Sequence, residues 1–350
     1  MRGMAADPDI RMDVPYLLAG DIGGTRSRLA VFAPAGGFRQ PVAAKEYASA
    51  SFPDLESLVS AFLGEVNARV GGACFGVAGP VRGGRAALTN LPWVVDEQRL
   101  GARFGFDGVR VINDVAALAA SVPLLSGEDV APLQAGRPAA GGTIAVVAVG
   151  TGLGAAFLAW DGSRYRVFPS EAGHGDFAPA DSRQAQLFLF LRERFAHVSR
   201  ERVCSGRGIR ILYEYLEGEG FAKEAEGLKQ TIAAAPDPVP RIVASALGEE
   251  HPSALCRGTL ELFISILGAV CGGLALDFLA TGGIFLGGGI PPRILPMLRG
   301  GSFITAFRAK GRMEALLGEI PVHVIVDPWA ALRGAAREAL SVSPASRVAR

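Results

Sequence analysis

The sequence predicts an α/β protein built as two lobes of similar design, and three observations carry that prediction. Apolar runs of strand length alternate with segments of helical periodicity along most of the chain. An apolar run, a glycine-rich turn and a second apolar run occur at 16–32 and again at 143–160. The chain has 350 residues, more than one hydrophobic core usually supports. Glycine hairpins are common, so coincidence also accounts for the repeat. Two lobes facing one ligand account for the repeat and the length together.

The elements follow in order. The first hairpin is succeeded by a strand over 42–47 and a helix over 52–70, where Leu55, Leu58, Val59, Phe62, Leu63 and Val66 share a face. A strand over 72–77 ends in Ala78-Gly79-Pro80, and the strand-like stretch 86–89 runs into a loop, Asn90-Leu91-Pro92-Trp93. Residues 95–104 read as helix, 109–112 as strand and 115–122 as an apolar helix. After a Gly/Pro/Ala loop at 136–142 comes the second hairpin. The periodicity then becomes mainly helical, over 184–195, 208–216, 221–235, 238–248 and 253–280. Strands over 282–286 and 322–326 and a helix over 329–340 complete the chain, with 341–350 read as a frayed end.

Composition removes several classes of function. Hydrophobic residues make up 49% and charged residues 20%, which describes a globular protein with ample core, and the net charge of +1 argues against a nucleic-acid or membrane-surface role. Cys74, Cys204, Cys256 and Cys271 show no short pairing, so they read as free buried thiols of a reducing compartment rather than a disulfide or zinc framework. The first fifteen residues are polar and lack the apolar region of a secretory signal. The uncharged run 262–276 is too short to span a membrane, and Gly268, Gly272 and Gly273 give it a close-packing face, so it reads as a buried helix. A cytoplasmic location follows.

Four segments can carry chemistry. In the first hairpin, Gly23 and Gly24 allow several N–H groups to point into one anion-binding concavity, and Asp21 stands where a phosphate-bound cation needs a carboxylate. An ordinary hairpin fits the same residues. Asn113-Asp114 closes a strand and opens a helix, where an aspartate serves either as helix cap or, ionised at neutral pH, as general base toward a substrate hydroxyl. The segment Ser170-Glu171-Ala172-Gly173-His174-Gly175-Asp176 offers carboxylates and an imidazole to a polyhydroxylated ligand, and reads equally as a flexible solvated loop. Glu171 and His174 have no second histidine or cysteine nearby to complete a metal site. Gly287, Gly288 and Gly289 follow a strand and permit close backbone approach to a flat ligand, or simply make the turn. Neither a P-loop motif nor a dinucleotide G-x-G-x-x-G after the first strand is present.

Taken together these motifs resemble the bacterial glucokinase family of the actin-like sugar kinases and ATPases. The resemblance is carried by Asp21-Ile22-Gly23-Gly24-Thr25, by Leu91-Pro92-Trp93 after Thr89-Asn90, by Ile112-Asn113-Asp114 and by Gly150-Thr151-Gly152-Leu153-Gly154. It is supported by the run from Glu171 to Pro179, by Glu201 to Gly206 and by Gly282 to Ile290, all in family order. It implies a two-lobed actin-like (ribonuclease H-like) ATPase fold with a cleft between the lobes, residues 1–123 plus 328–350 forming a small lobe and 124–327 a large one. It implies phosphorylation of glucose at the 6-hydroxyl by ATP, with Asp114 as the base. Asn90, Asn113, Glu171, His174 and Glu201 would hold the sugar. Asp21 would hold Mg²⁺, through water. Gly23, Gly24 and Thr25 with Gly150, Thr151 and Gly152 would hold the phosphates, and Gly287, Gly288 and Gly289 the adenosine. Closure of the lobes would exclude water. Partners would be small molecules, without nucleic acid or membrane, and a homodimer is admitted.

Two residues depart from the family pattern. Arg26 follows the glycine–threonine turn where relatives often carry a small polar residue, adding positive charge near the phosphates, and Ala172 replaces a common glycine beside the sugar loop. No cysteine cluster follows His174, which favours the zinc-free branch over the repressor/open-reading-frame/kinase group. Kinases for fructose, mannose or an N-acetylhexosamine share the same residue types. A sugar-sensing regulator would need a DNA-binding helix-turn-helix ahead of Tyr16, for which fifteen polar residues are too few. A nucleotide-driven binding protein would leave Glu171, His174 and Glu201 without shared purpose.

Overall fold

The computed structural model describes residues 15–35, 38–88 and 90–343. The polar leader, Thr89 and the last seven residues of the frayed end lie outside the described residues, while Ser341 and Val342 still belong to the final helix. The chain divides into two compact units, one formed by Met1–Asp129 with Asp327–Arg350 and the other by Val130–Val326.

In the first unit the strands are β1 (Tyr16–Ile22), β2 (Arg26–Phe32), β3 (Ala43–Ala48) and β4 (Val70–Val77). They are followed by a short pair, β5 (Arg85–Ala87) with β6 (Val94–Asp96), and by β7 (Gly108–Asn113). The main sheet has the order β3-β2-β1-β4-β7: the first three strands form an antiparallel meander, and β1, β4 and β7 run parallel. Its α-helices are Leu55–Val66, Glu97–Phe104, Asp114–Ser121 and Ala330–Val342. The first is shorter than its periodicity suggests. Asp54 caps its N-terminus by accepting from the Ser57 amide, and Asn67 turns left-handed at its end. Val95 and Asp96, expected to begin a helix, belong to β6 instead, and the helix starts at Glu97 with Asp96 as its cap.

The second unit contains β8 (Val130–Gln134), β9 (Ile144–Val149), β10 (Leu153–Trp160), β11 (Tyr165–Ser170), β12 (Gly283–Gly287) and β13 (Val322–Ile325), in the order β11-β10-β9-β12-β13-β8. Here too an antiparallel meander, β11-β10-β9, is followed by parallel strands, β9, β12 and β13. The two units therefore repeat one topology, and each glycine turn joins the same two strands of that topology. The core of this unit surrounds the helix Ala254–Asp277, which is long and apolar enough to cross a membrane by composition but is largely buried in protein. Cβ atoms at Gly268 and Gly272 would run into the carbonyl oxygens of Phe303 and Phe307, so these two glycines admit the neighbouring helix Ser302–Arg308; Gly273 faces open space and has no such role.

Packing in the first unit fixes the helix that starts at Asp114. The C-terminal helix Ala330–Val342 lies across β1 and β4 and against Asp114–Ser121, with Leu332, Ala335, Ala336 and Ala339 in a core containing Leu17, Ala19, Cys74 and Ala117. A Cβ at Gly334 would collide with the Ala117 carbonyl oxygen and lie 2.8 Å from the Ser121 amide nitrogen. Gly334→Ala is therefore expected to lower the free energy of unfolding by about 1–3 kcal/mol, measured by urea denaturation, because backbone rather than a flexible side chain must move.

Candidate active site

β1, β4 and β7 end side by side, and register sets what stands there. Asp21 on β1 pairs with Gly76 on β4, which pairs with Ile112 on β7, two residues before Asp114. A Cβ at Gly76 would lie 2.9 Å from the Ala117 methyl and 3.5 Å from the Asp114 Cα. A glycine at this register position thus lets the helix that begins at Asp114 pack closely on β4. The sequence reading overlooked Gly76, whose only signal is its place at the end of an apolar strand.

Asp114 is half-buried. Removal from water and then the neighbouring negative charge of Asp21 push its carboxyl up to about 6, against the hydrogen bonds from Val115 and Asn113 that lower it. It is not the helix cap. That role belongs to Asn113, whose Oδ1 accepts from the amides of Val115 (2.9 Å) and Ala116 (3.3 Å), while its Nδ2 donates to the Gly79 carbonyl at 3.3 Å. Asp114 occupies the first helical position, with Oδ1 2.8 Å from the Val115 amide.

Asp21 is held on its other side by a cross-strand partner. Arg28 Nη2 donates to Asp21 Oδ2 at 2.6 Å and Nη1 donates to the Pro328 carbonyl at 2.7 Å. The second Asp21 oxygen accepts no hydrogen bond among the described residues. At the turn itself, the Gly24 and Thr25 amides likewise have no protein partner among the described residues. Asn90, expected in the sugar site, lies against this turn: a Cβ at Gly24 would be 2.8 Å from the Asn90 Cβ. The charge of Arg26 is shared with Glu46 at 2.9 Å on an exposed surface, so it adds less to the turn than its sequence position suggests.

The second unit gathers the remaining candidates. Gly152 touches Glu201, whose Oε2 accepts from the Leu153 amide at 3.0 Å. The Gly206 amide donates to the Gly150 carbonyl at 2.8 Å. Gly288 adopts φ +87°, and a Cβ there would strike the Val149 carbonyl, so of the three turn glycines this one is required by conformation. Residues Ala172–His174 form a 3-10 turn rather than an irregular loop, and Gly173 is pressed so close to the Leu153 carbonyl that no Cβ fits. Glu171 and His174 are both exposed, 3.9 Å apart, and the Ala172 methyl packs on the core of this unit. Among the described residues no group of three or more His, Cys, Asp or Glu side chains converges as a metal site.

Comparison with known proteins shows the family of the chain. The family model described as Glucokinase matches residues 18–341. The glucokinase of Nostoc punctiforme is 40% identical over 335 residues, covering 91% of this chain and 97% of its own. Among solved structures, glucokinase from an Antarctic psychrotroph superposes with a TM-score of 0.78 at 33% identity, over 94% of this chain and 100% of that one. The glucokinase of Balamuthia mandrillaris, solved in complex with glucose, gives 0.75 at 22% identity over 94% of each chain and shares the fold. The fold is that of the two-lobed actin-like sugar kinases. Within that class, the chain belongs to the glucokinase family.

The raised Asp114 carboxyl has a consequence for stability. The native state binds its proton more tightly than the unfolded chain, whose carboxyl titrates near the ordinary 3.8. Wild-type stability therefore falls as pH rises through the interval from about 4 to about 6 and stays lowered above it. Asp114→Asn, which cannot ionise, is expected to melt at a higher temperature than wild type at pH 7, with the gain vanishing by about pH 4. Paired thermal melts at the two pH values check this.

Proposed function

We propose that this chain transfers the γ-phosphoryl group of ATP to the 6-hydroxyl of glucose, with Asp114 as the general base. The observation that carries the reading is two carboxylates with different environments, Asp21 on β1 and Asp114 just beyond β7, on either side of the end of β4. Asp114 is partly withdrawn from water and poised near neutrality to accept a hydroxyl proton, while Asp21 is ion-paired to Arg28. Membership of the glucokinase family supports glucose as acceptor and ATP as donor.

Each unit contributes parts to this chemistry. In the first, the Gly24 and Thr25 amides donate to phosphate oxygens, and Gly23 allows the turn that presents them. Asn90 and Asn113 orient sugar hydroxyls, and the capping bonds of Asn113 hold it at the start of the base-bearing helix. In the second, Gly150, Thr151 and Gly152 form the matching phosphate turn, and Glu171, His174 and Glu201 accept or donate to the remaining hydroxyls. Gly287, Gly288 and Gly289 lie against the adenosine. Phosphoryl transfer depends chiefly on this positioning and on neutralising charge.

The donor set fits Mg²⁺. Asp21 offers one carboxylate oxygen without a protein partner, and among the described residues no group of three or more His, Cys, Asp or Glu side chains converges there, as suits an ion that keeps several waters and shares phosphate oxygens. When bound, the ion would neutralise phosphate charge. The reading places the enzyme in the cytoplasm, in keeping with four buried free thiols among the described residues, and retains a homodimer, which sedimentation tests directly.

Asp114→Asn is expected to lower kcat by about 10²–10⁴-fold while ATP still binds. In wild type, kcat/KM should fall about tenfold per pH unit below about pH 6, because only the carboxylate accepts the proton. Asp21→Asn should move that limb to lower pH by removing the like charge. Coupled phosphorylation assays across glucose, fructose, mannose and N-acetylhexosamines, with ATP, ADP and polyphosphate as donors, measure all of these. Near-normal turnover by Asp114→Asn refutes its role as base, and turnover of no sugar refutes the activity.

A further inference from the structure

Ser49 lies just beyond β3 and is fully buried, as is Ser27 on β2. Its side chain and main chain both reach the Gly23–Thr25 turn. Ser49 Oγ donates to the Gly23 carbonyl at 2.7 Å, and the Ser49 amide donates to the Thr25 carbonyl at 3.0 Å. Because the single Ser49 hydroxyl proton is committed to Gly23, the 2.9 Å contact between the two serine hydroxyls is completed by Ser27 donating to Ser49. The result is a one-way relay, from Ser27 to Ser49 to the turn, with no exposed hydroxyl in it.

The relay matters because of peptide geometry. The Gly23 carbonyl and the Gly24 N–H belong to one planar trans peptide and point in opposite directions. Drawing the carbonyl inward therefore turns the Gly24 N–H outward, toward the ligand side. Between two glycines nothing steric opposes the flipped peptide, which would present a carbonyl oxygen there and repel an anion. The Thr25 carbonyl is held by the Ser49 amide in the same way, so the two bonds bracket the Gly24–Thr25 peptide between them. Burial strengthens both bonds and makes it unfavourable to leave the Gly23 carbonyl unpaired.

We infer that Ser49 is a positioning residue for phosphate binding: with Ser27 behind it, it locks the Gly23–Gly24 peptide in the anion-accepting orientation. This rests on reading Gly23–Thr25 as a phosphate turn. Ser49 itself touches no substrate, and its effect is transmitted through the Gly23 carbonyl.

The test measures binding of ADP and of inorganic pyrophosphate, each with excess Mg²⁺, by calorimetry on the full chain, together with KM for ATP and for glucose. Ser49→Ala should weaken both ligands and raise KM for ATP by about fivefold or more, the loss expected for one buried hydrogen bond. KM for glucose should stay within about twofold, a split that a general loosening of the unit does not produce. Ser27→Ala, which removes only the donor behind Ser49, should give a smaller loss in the same direction, about twofold. If folded Ser49→Ala binds both ligands as wild type does, or loses glucose and ATP affinity equally, the inference fails. Should Ser49→Ala not fold, Ser27→Ala decides alone: weakened binding supports the relay and unchanged binding overturns it. Because ADP binding is read directly, a wild-type protein that binds ADP yet phosphorylates no sugar would sink the proposed activity and leave the relay standing. A wild-type protein that binds neither ligand would sink the relay as well.

Discussion

Two carboxylates of like charge stand at the ends of parallel strands with a glycine between them, and much of the first unit serves to keep them there. Left alone, Asp21 and Asp114 would repel each other and seek water. Asp21 is restrained by Arg28, which is in turn anchored on the Pro328 carbonyl. Asp114 is restrained by its place in a helix that Asn113 caps and the C-terminal helix clamps at Gly334. Gly76 lets that helix pack closely on β4. The energetic burden of this arrangement appears as the raised Asp114 carboxyl, which binds its proton more tightly and makes the folded state less stable near neutral pH. Stability and proton affinity at this site have one electrostatic origin.

The repeated topology of the two units extends to the handling of their turns, though the side chains differ. In the first unit a buried serine hydroxyl holds the Gly23 carbonyl and so turns the Gly24 N–H outward. In the second the Gly206 amide holds the Gly150 carbonyl, and by the same peptide geometry the Thr151 N–H is turned outward. The preserved feature is the direction of a carbonyl. A hydroxyl from a strand end and an amide from a helix start are equivalent means of fixing it.

Much of this was legible in the sequence because it depends on local signals. Both hairpins, the long apolar helix and the parallel strands are encoded in hydrophobic period and glycine placement. The strands that escaped notice, β8 and β11, contain Pro132 and Pro169 and form the two edges of their sheet, where proline is tolerated but the strand pattern is weakest. Val95 reads as the first helical residue because it fits either period, and only pairing with β5 assigns it to β6. Motif recognition named Asp21 and Asp114 but not what tunes them. Arg28, Gly76 and Ser49 act through register and cross-strand contact, which a linear reading does not display. Asp114 illustrates the opposite limit: its helix-start position suggested a cap, yet Asn113 beside it takes that role and leaves the carboxylate available.

In the second unit one residue joins two segments that the sequence presents as separate. Glu201 accepts from the Leu153 N–H, and Gly173 presses on the Leu153 carbonyl. Leu153 closes the Gly150–Gly152 turn, whereas Gly173 lies between Glu171 and His174. The sugar-loop candidates and the phosphate-turn candidates of this unit are thus built around a shared residue, with Glu201 belonging to both. Gly152 explains why the turn is so spare here, since a Cβ would lie 2.5 Å from Glu201 Oε2. A substitution that displaces Glu201 must therefore disturb the turn as well. Through this residue, the position of Glu201 and the shape of the Gly150–Gly152 turn become a single geometric condition rather than two.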